Sequence, residues 1–421
     1  MSRSIGAAIA VLLVASRAHG EEPECPRIAE AAALVRCALA RSEPVLRARQ
    51  ELDAAQARRA AAGRFLVDNP TVEVGLGRRS GPDGSTDFDR SVEVAQRVQI
   101  GGQRSARGRV ADAEVALAQA SVEAAQRAIV TEVYSAVAGV WQTRAAAQLA
   151  QDQVRAAEQL VAVSRGRERQ GVGAALDVDL AEAGQIGARR ALANALAERR
   201  DAETRLALAV GNDVGLAEAA PLPAQYRPAL PMLELEEGAV ARRIEVLTAR
   251  AEGRTAQGRI DLLQRSRIPD VTVAAGARHE DFSSGIGVRL SVPIPLFARS
   301  QGEIAEQRSR SAQADVAVRQ AELRVRLDVR AAFQAWQRAD EIERAPAPDL
   351  ERRLREDVES LRNAYERGTM SLTAALLALR ETQGARKALI DARADVVTTS
   401  LRLARAAAVD LNVPARAETP R

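Results

Sequence analysis

Two short passages of the chain alternate hydrophobic and polar residues. Between positions 72 and 77, valine or leucine stands at every second position, with glutamate or glycine between them. The passage 286–294 alternates more regularly and reaches Pro293 near its end, where proline cannot donate a backbone hydrogen bond to a sheet. This period of two is typical of β-strands with one apolar face. It predicts two β-hairpins, at 69–98 and 268–295.

Long alanine-rich stretches follow both hairpins, and their apolar residues have helical spacing. Within the proline-free stretch 104–165, Val115, Val122 and Ile129 recur at seven-residue steps. A helix of this length would span about 90 Å, which exceeds a compact domain, so it must pack against other helices in a coiled-coil manner. Its counterpart is expected at 301–344. Other helices are expected at 28–63, where Pro44 is a possible break, and at 174–210, 349–366 and 371–409.

The same plan occurs twice along the chain. The Trp-Gln pair that begins at Trp141 recurs at Trp336, 195 residues later (336 − 141). A turn follows each long helical stretch, and the turn glycines Gly171 and Gly368 are 197 residues apart (368 − 171). This period is too long for a solenoid unit and indicates an internally duplicated domain. We therefore predict a mainly α fold with transmembrane β-strands, built of two helix–β-hairpin–long-helix halves.

The first twenty residues have the features of a secretory signal peptide. A basic start precedes a short apolar run at 5–15, and small residues follow the run. No later stretch approaches the roughly 18 apolar residues that a transmembrane helix needs, so we expect β-strands to make any membrane crossing. The predicted organisation is a signal peptide at 1–20, a first repeat at 21–220, a proline-rich linker at 221–231, a second repeat at 232–413 and a flexible tail at 414–421.

The predicted strands fit the wall of a membrane barrel, because each has one apolar face for lipid and one polar face for water. The alternative is a pair of hairpins in a soluble sandwich. Four strands per chain cannot close a barrel, so they form either a small open sheet or a share of a barrel that several chains build. The export signal favours the shared barrel.

The composition suits a helical body and gives no sign of nucleic-acid binding. The chain is 47% hydrophobic but only 2% aromatic, and alanine, which costs least in a helix, dominates the apolar residues. Its 60 basic and 56 acidic residues leave a net charge of +4. These charges are spread along the helices rather than clustered, so we expect solvated helix faces and no nucleic-acid partner.

The chain has two cysteines, Cys25 and Cys37, both close to the expected mature N-terminus. In an oxidising, exported compartment we expect them to form a disulfide that ties the leading peptide to the first helix. A lipid anchor on Cys25 is the alternative. The preceding residues, Glu22-Pro23-Glu24, differ from the small, apolar run that lipoprotein processing requires.

Residues suited to catalysis are scarce. Beyond the signal peptide, the single histidine is His279, which lies beside Glu280 and Asp281 in the second hairpin. The chain has no second histidine there, no cysteine pair at metal-ligand spacing and no glycine-rich phosphate loop. We therefore expect no enzyme, no cofactor and no metal site, and interpret His279 as a solvated loop residue rather than a metal ligand.

The ends of the two hairpins resemble a known family. Residues 94–104, Val-Ala-Gln-Arg-Val-Gln-Ile-Gly-Gly-Gln-Arg, resemble the strand-to-helix exit of the first half in TolC-type outer-membrane efflux channels. Residues 292–302, which contain Pro-Ile-Pro-Leu-Phe, resemble the matching exit of the second half. Both sequences are most similar to the heavy-metal branch typified by CzcC-like channels.

This resemblance implies an assembly and its partners. It implies a homotrimer, in which three chains with four strands each make a twelve-stranded β-barrel in the outer membrane, in contact with its lipid. The long helices would then make an α-helical barrel that extends into the periplasm. The implied partners are a periplasmic adaptor, also called a membrane fusion protein, and an inner-membrane RND-type transporter.

The resemblance also assigns a role to the two turns that follow the long helices. The turn with Arg169, Gly171 and Gly173 and the turn with Arg367 and Gly368 resemble the periplasmic tips where family members meet the adaptor. The alternative is that glycine serves only to relieve the left-handed backbone of a tight helix reversal.

Asp177 and Asp179, which follow the first turn, are candidate gate residues. Acidic rings near the closed tip are a family feature connected with gating and cation passage. In several relatives these residues follow the second turn, whereas the corresponding stretch here, 372–377, contains no acid. Ordinary surface charge on a helix is the alternative interpretation.

The resulting hypothesis is an outer-membrane channel of a tripartite efflux pump that exports heavy-metal cations. A channel of the same fold for drugs, solvents or type I secretion is the alternative. A soluble periplasmic coiled-coil scaffold would explain the helices, but it would leave the two hairpins unexplained.

Overall fold

The computed structural model describes residue 25 and residues 27–80, 86–280, 283–294, 296–297 and 299–411. The predicted signal peptide at 1–20, the tail at 414–421 and the tip of the first hairpin at 81–85 lie outside the described residues.

The first half of the chain contains a helix pair, a β-hairpin and a long helical hairpin. Residues with high helix propensity, mostly alanine and arginine, fill its helices. Its elements are β1 (Ile28–Ala29), α1 (Ala31–Arg41), α2 (Glu43–Ala62), β2 (Thr71–Ser80), β3 (Thr86–Val98), α3 (Gln103–Arg169), α4 (Ala175–Val210) and β4 (Gly215–Leu216).

The second half repeats this order, with one interruption. Its elements are α5 (Met232–Arg242), α6 (Ile244–Arg265), β5 (Val271–Glu280), β6 (Ser283–Ser291), α7 (Gln301–Arg344), α8 (Leu350–Glu366) and α9 (Leu372–Ala406). Where α3 is continuous over 67 residues, α7 and α8 are separated around Pro346 and Pro348, because proline removes a backbone donor and clashes with the preceding helical turn. The predicted fold class, mainly α with duplicated halves, is confirmed. The exact limits of the two repeats stay a prediction.

The N-terminal segment differs only in part from the helix predicted at 28–63 with a possible break at Pro44. Ile28 and Ala29 form a short strand that pairs in parallel with β4, so the helix begins only at Ala31. The helix is also broken at Ser42, whose backbone is extended, and Pro44 lies in the first turn of α2. Proline is tolerated there because the first backbone N–H groups of a helix have no intrahelical partner.

The two hairpins join in one antiparallel sheet with the order β2-β3-β5-β6. The central strands β3 and β5 come from different halves and pair with Val98 opposite Val271. β2 and β6 each pair on one side only in the described part of the chain, so the sheet has two open edges.

Two equivalent cores hold the helices together below the sheet. In the first half, Leu34 of α1 packs with Val133 of α3 and Leu206 of α4. In the second, Leu235 of α5 packs with Val329 of α7. Small alanines along the remaining lengths let the long helices approach one another closely. No helix among the described residues is both long and apolar enough to cross a membrane.

A disulfide joins Cys25 to Cys37, with their Cα atoms 5.6 Å apart. Cys37 lies on the buried face of α1, in the same core as Leu34. The bond and the β1–β4 pairing therefore hold the N-terminal segment against the first core.

Candidate functional site

The turn after α3 is a tight helix reversal built on Gly171. Gly171 has a φ of 74°, in the left-handed region that favours glycine. Its N–H donates to the carbonyl of Glu168 and the N–H of Val172 donates to the carbonyl of Arg167, which is the Schellman pattern. A Cβ at Gly171 would meet nothing within 4 Å, so only the backbone requires glycine here.

The turn after α8 repeats this geometry around Gly368, whose φ is 75°. Its N–H donates to the carbonyl of Tyr365, and the N–H of Thr369 donates to the carbonyl of Ala364. The hydroxyl of Ser371 then caps α9 by accepting from the N–H of Ala374 at 3.3 Å. Unlike Gly171, Gly368 lies against a neighbour, since a Cβ there would be 3.0 Å from Nη1 of Arg167.

Arg167 connects the two turns. Its Nη1 donates to the carbonyl of Tyr365 at 3.0 Å, and its guanidinium carbon lies 5.3 Å from the centre of the Tyr365 ring. The guanidinium therefore neutralises the negative end of the α8 dipole and makes a cation–π contact with the same residue.

Tyr365 anchors this end of the molecule from inside. Its side chain is 1% exposed, and its hydroxyl shares a 2.8 Å hydrogen bond with the hydroxyl of Ser164. Leu160 and Leu372 pack in the same cluster. The two turns consequently form one packed unit, and we call it the tip.

The structure brings all five predicted turn residues to the tip. Arg169, Gly171, Arg367 and Gly368 are exposed, while Gly173 is half-buried against the backbone of Arg167. The sequence did not single out Arg167 or Tyr365, which hold the turns together. The sequence did offer one signal for Tyr365, because a tyrosine just before a predicted turn is unusual in a chain with only 2% aromatic residues.

The candidate gate residues lie at the start of α4. Asp177 is in the first turn of that helix and is half-buried, and Asp179 is exposed. Neither carboxylate makes an ion pair with any residue that the structure describes. A carboxylate in the first turn of a helix interacts favourably with the positive end of the helix dipole. Stabilisation of α4 is therefore an alternative role for Asp177.

The tip also exposes apolar side chains beside its charges. Val172 is 63% exposed and Leu176 is 64% exposed, next to the cationic Arg169. Such a mixed surface is suited to contact with another protein. In the described ranges, no group of three or more His, Cys, Asp or Glu side chains could hold a metal ion.

Curated relatives of the chain include two proteins of Cupriavidus metallidurans. The nickel and cobalt resistance protein CnrC is 27% identical over 318 residues, which cover 74% of this chain and 73% of CnrC. The cobalt-zinc-cadmium resistance protein CzcC is 28% identical over 216 residues, which cover 49% of this chain and 50% of CzcC. The predicted similarity to CzcC-like proteins is confirmed.

The fold is also found in solved structures. A crystal structure of CusC, from work on folding and transmembrane channel formation, superposes with a TM-score of 0.75 over 90% of this chain and 92% of CusC, at 17% sequence identity. The family model described as outer membrane efflux protein matches residues 34–212 and 236–409. Because this model covers most of both halves, the chain belongs to the outer membrane efflux protein family.

Proposed function

We propose that three copies of this chain form the outer membrane channel of a tripartite efflux pump. The main support for this proposal is the four-stranded sheet, which has an exposed apolar face, a charged opposite face and open edges at β2 and β6. Pairing of β6 in one copy with β2 in the next closes a twelve-stranded barrel and removes every open edge. The apolar face then meets lipid, and the charged face lines the channel.

The long helices extend this channel into the periplasm. α3 has 67 residues, so it is about 100 Å long. It carries the tip far from the sheet, where the exposed Val172, Leu176 and Arg169 contact a periplasmic adaptor. The adaptor in turn joins the channel to an inner-membrane RND-type transporter.

The proposed cargo is divalent heavy-metal cations. The names of CnrC and CzcC connect those proteins with resistance to nickel, cobalt, zinc and cadmium. In this chain, the carboxylates of Asp177 and Asp179 near the tip provide negative charge where cations would enter, and we assign them to the gate.

The experiment compares metal export in cells that lack the gene and carry either the wild type or a Gly171→Val, Gly368→Val double variant. A β-branched residue at a left-handed position strains the backbone by about 1–2 kcal/mol, so valine should distort each turn. This strain is small compared with the free energy that helix packing contributes, so the trimer should still assemble. The wild type should lower cellular nickel, cobalt, zinc or cadmium, measured by mass spectrometry. The double variant should assemble normally yet accumulate metal like the deletion strain.

Gly211 provides a matched control at the opposite end of α4. It ends that helix in the same Schellman pattern, has the same φ of 74° as Gly171, and also has nothing within 4 Å of an added Cβ. Because Gly211 lies away from the tip, Gly211→Val should impose the same backbone strain but retain export. Equal loss of export in this control would contradict a special role of the tip, and accumulation of drugs without metals in the deletion strain would contradict the cargo.

A further inference from the structure

One face of the sheet, which carries Val74, Val92 and Val94, is exposed and apolar over most of its height. The strand pairing aligns its side chains in rows across the four strands, so that Val94 faces Ala275 and Ala275 faces Val288. The next row towards the hairpin turns contains Val74, Val92, Ala277 and Ile286.

The following row on this face is cationic. It contains Leu76, Arg90, His279 and Ser284, because Arg90 pairs with both Leu76 and His279. His279 therefore lies in strand β5 and not in the loop that the sequence had suggested. Arg78 lies one row further, opposite Phe88. Among the described strand residues, no Asp or Glu lies on this face, and neither Arg78 nor Arg90 has an ion-pair partner.

The opposite face of the same sheet is different, since its arginines are paired. Arg79 lies 2.9 Å from Asp89, Arg289 lies 2.9 Å from Glu93, and Arg278 contacts Glu280. The unpaired arginines are therefore confined to the face that the apolar rows identify as lipid-facing. There, an arginine without an anionic partner is costly, by about 2–4 kcal/mol at the membrane midplane and less near the interface.

The position of the cationic row along the strands places it at the outer surface. β3 continues into α3 after Val98, so the helices lie at that end of the sheet. Arg90 is eight positions before Val98 on β3, about 26 Å along the strand. With the helices in the periplasm, Arg78, Arg90 and His279 lie at the level of the outer-leaflet head groups.

We propose that Arg78, Arg90 and His279 bind the phosphate group of a phosphorylated glycolipid in the outer leaflet of the outer membrane. This inference rests on the proposed function, because it requires the sheet to be part of a membrane barrel. The commitment to an anionic lipid follows from charge complementarity: in the described strands the site offers two guanidinium groups and no carboxylate, on a surface that otherwise fits acyl chains.

The chemistry of the three side chains suits a phosphate. A guanidinium forms two parallel hydrogen bonds with phosphate oxygens, and Arg78 and Arg90 lie on adjacent strands and in adjacent rows. Nδ1 of His279 lies 2.8 Å from the hydroxyl of Ser284, and its other ring nitrogen has no hydrogen-bond partner among the described residues. One phosphate can therefore receive donors from three neighbouring strands.

The test uses the full-length protein, purified from the outer membrane in mild detergent, and the double variant Arg78→Gln, Arg90→Gln. The probes are phosphorylated lipid A, its dephosphorylated form and inorganic phosphate, with binding followed by native mass spectrometry. A matched control, Arg278→Gln with Arg289→Gln, removes the same charge from the opposite face. We expect the wild type and this control to retain phosphorylated lipid A, and the Arg78, Arg90 variant to bind it about tenfold more weakly.

Equal retention of phosphorylated lipid A by the Arg78, Arg90 variant would overturn the inference while leaving the channel proposal intact. Equal binding of dephosphorylated lipid A, or competition by inorganic phosphate at similar concentrations, would also overturn a lipid phosphate site. Absence of the wild type from the outer membrane would instead refute the proposed function, and this inference with it. Where the glutamine variant does not assemble, Arg78→Lys with Arg90→Lys replaces it, since lysine keeps the charge but loses the paired hydrogen bonds.

Discussion

Left-handed backbone conformations recur at matching residues of the two halves. Gly171 follows α3 in the first half, and Gly368 follows α8 in the second half. Gly102, with a φ of 77°, begins α3, but its counterpart Ser300 begins α7 with a φ of 54°. The fold therefore imposes the left-handed conformation even where the side chain opposes it.

Ser300→Gly should stabilise the protein. The left-handed conformation costs an L-residue about 1–2 kcal/mol, while glycine loses about 0.5–1 kcal/mol more chain entropy on folding, so the net gain is about 0.5–1 kcal/mol. Because the Ser300 side chain makes no capping hydrogen bond with α7, the substitution removes no such contact. The midpoint of heat unfolding should rise.

The reverse substitution in the first half provides the comparison. A Cβ at Gly102 would lie 2.5 Å from Nη1 of Arg265, the far end of a flexible side chain that can move aside, so the cost of Gly102→Ser is mainly the backbone strain. Its unfolding midpoint should fall by about as much as that of Ser300→Gly rises. A lower midpoint for Ser300→Gly would show that the hydroxyl contributes more than the strained backbone costs.

The corner between α5 and α6 makes stability depend on pH. A hydrogen bond from Arg243 holds the pKa of Glu245 below its ordinary value of 4.5, although partial burial opposes the shift. Arg243 donates to both carboxylate oxygens of Glu245, at 2.6 and 2.9 Å, and to the carbonyl of Ala406. A lowered pKa in the folded state stabilises the protein above the unfolded pKa, and this contribution is lost as the pH falls through the folded pKa.

Glu245→Gln removes this pH-dependent contribution. The difference in unfolding midpoint between the wild type and the variant should be constant between about pH 6 and 8 and should shrink below pH 4.5. Glu237→Gln, in the neighbouring helix, serves as a control for loss of a carboxylate. A difference that grows with acidification would contradict the assigned direction of the shift.

At the residue scale, the sequence predicts positions that depend on the local backbone. The glycines at 171 and 368 were identified because few other residues adopt a left-handed turn. Arg167 was not, because its contact with Tyr365 joins residues 198 positions apart. Ser300 was missed for a different reason, since serine carries no signal for the conformation that the fold imposes on it.

At the element scale, periodicity predicts helices and strands well where they are long. The predicted helix at 301–344 matches α7, and both hairpins lie within their predicted limits. Strand β1 was missed because two residues have no measurable period, and because its partner β4 lies far along the chain. Its existence depends on tertiary packing against α1 and α4.

The disulfide should contribute to the stability of this N-terminal element. In the chain-entropy model, closing a loop as short as that between Cys25 and Cys37 stabilises a protein by about 2–3 kcal/mol. Cys25→Ala with Cys37→Ala should therefore lower the unfolding midpoint, and reduction of the wild type should have the same effect. Thiol labelling of the unreduced, denatured wild type should modify neither cysteine.

Labelling of both cysteines would show that the bond does not form in the exported protein. A lipid on Cys25, detected by mass spectrometry, would replace the disulfide with an anchor. A double variant as stable as the wild type would mean that the β1–β4 pairing alone holds the segment.

At the scale of the whole molecule, the duplication and the four hairpin strands could be read from the sequence, whereas the joining of the halves could not. Alternation shows which face of a strand is apolar, but it does not show that β3 pairs with β5 rather than with a strand of another chain. The structure resolves this point and leaves β2 and β6 at the edges.

The open edges lead to the final prediction, that the protein purified in mild detergent has three times the mass of the mature chain. An isolated four-stranded sheet with two open edges and an apolar face would associate with other chains, and three copies satisfy every edge in a closed barrel. Native mass spectrometry is the suitable measurement, because the sequence contains a single lysine, Lys387, and lysine-directed cross-linkers would give too few links.

Ile286→Asp offers a specific perturbation of this trimer, since Ile286 is 91% exposed on the apolar face and a carboxylate there would face lipid. This variant should yield less trimer in the outer membrane, whereas Gly287→Asp, on the opposite face, should yield a normal amount. A monomeric or dimeric mass for the wild type would refute the shared barrel.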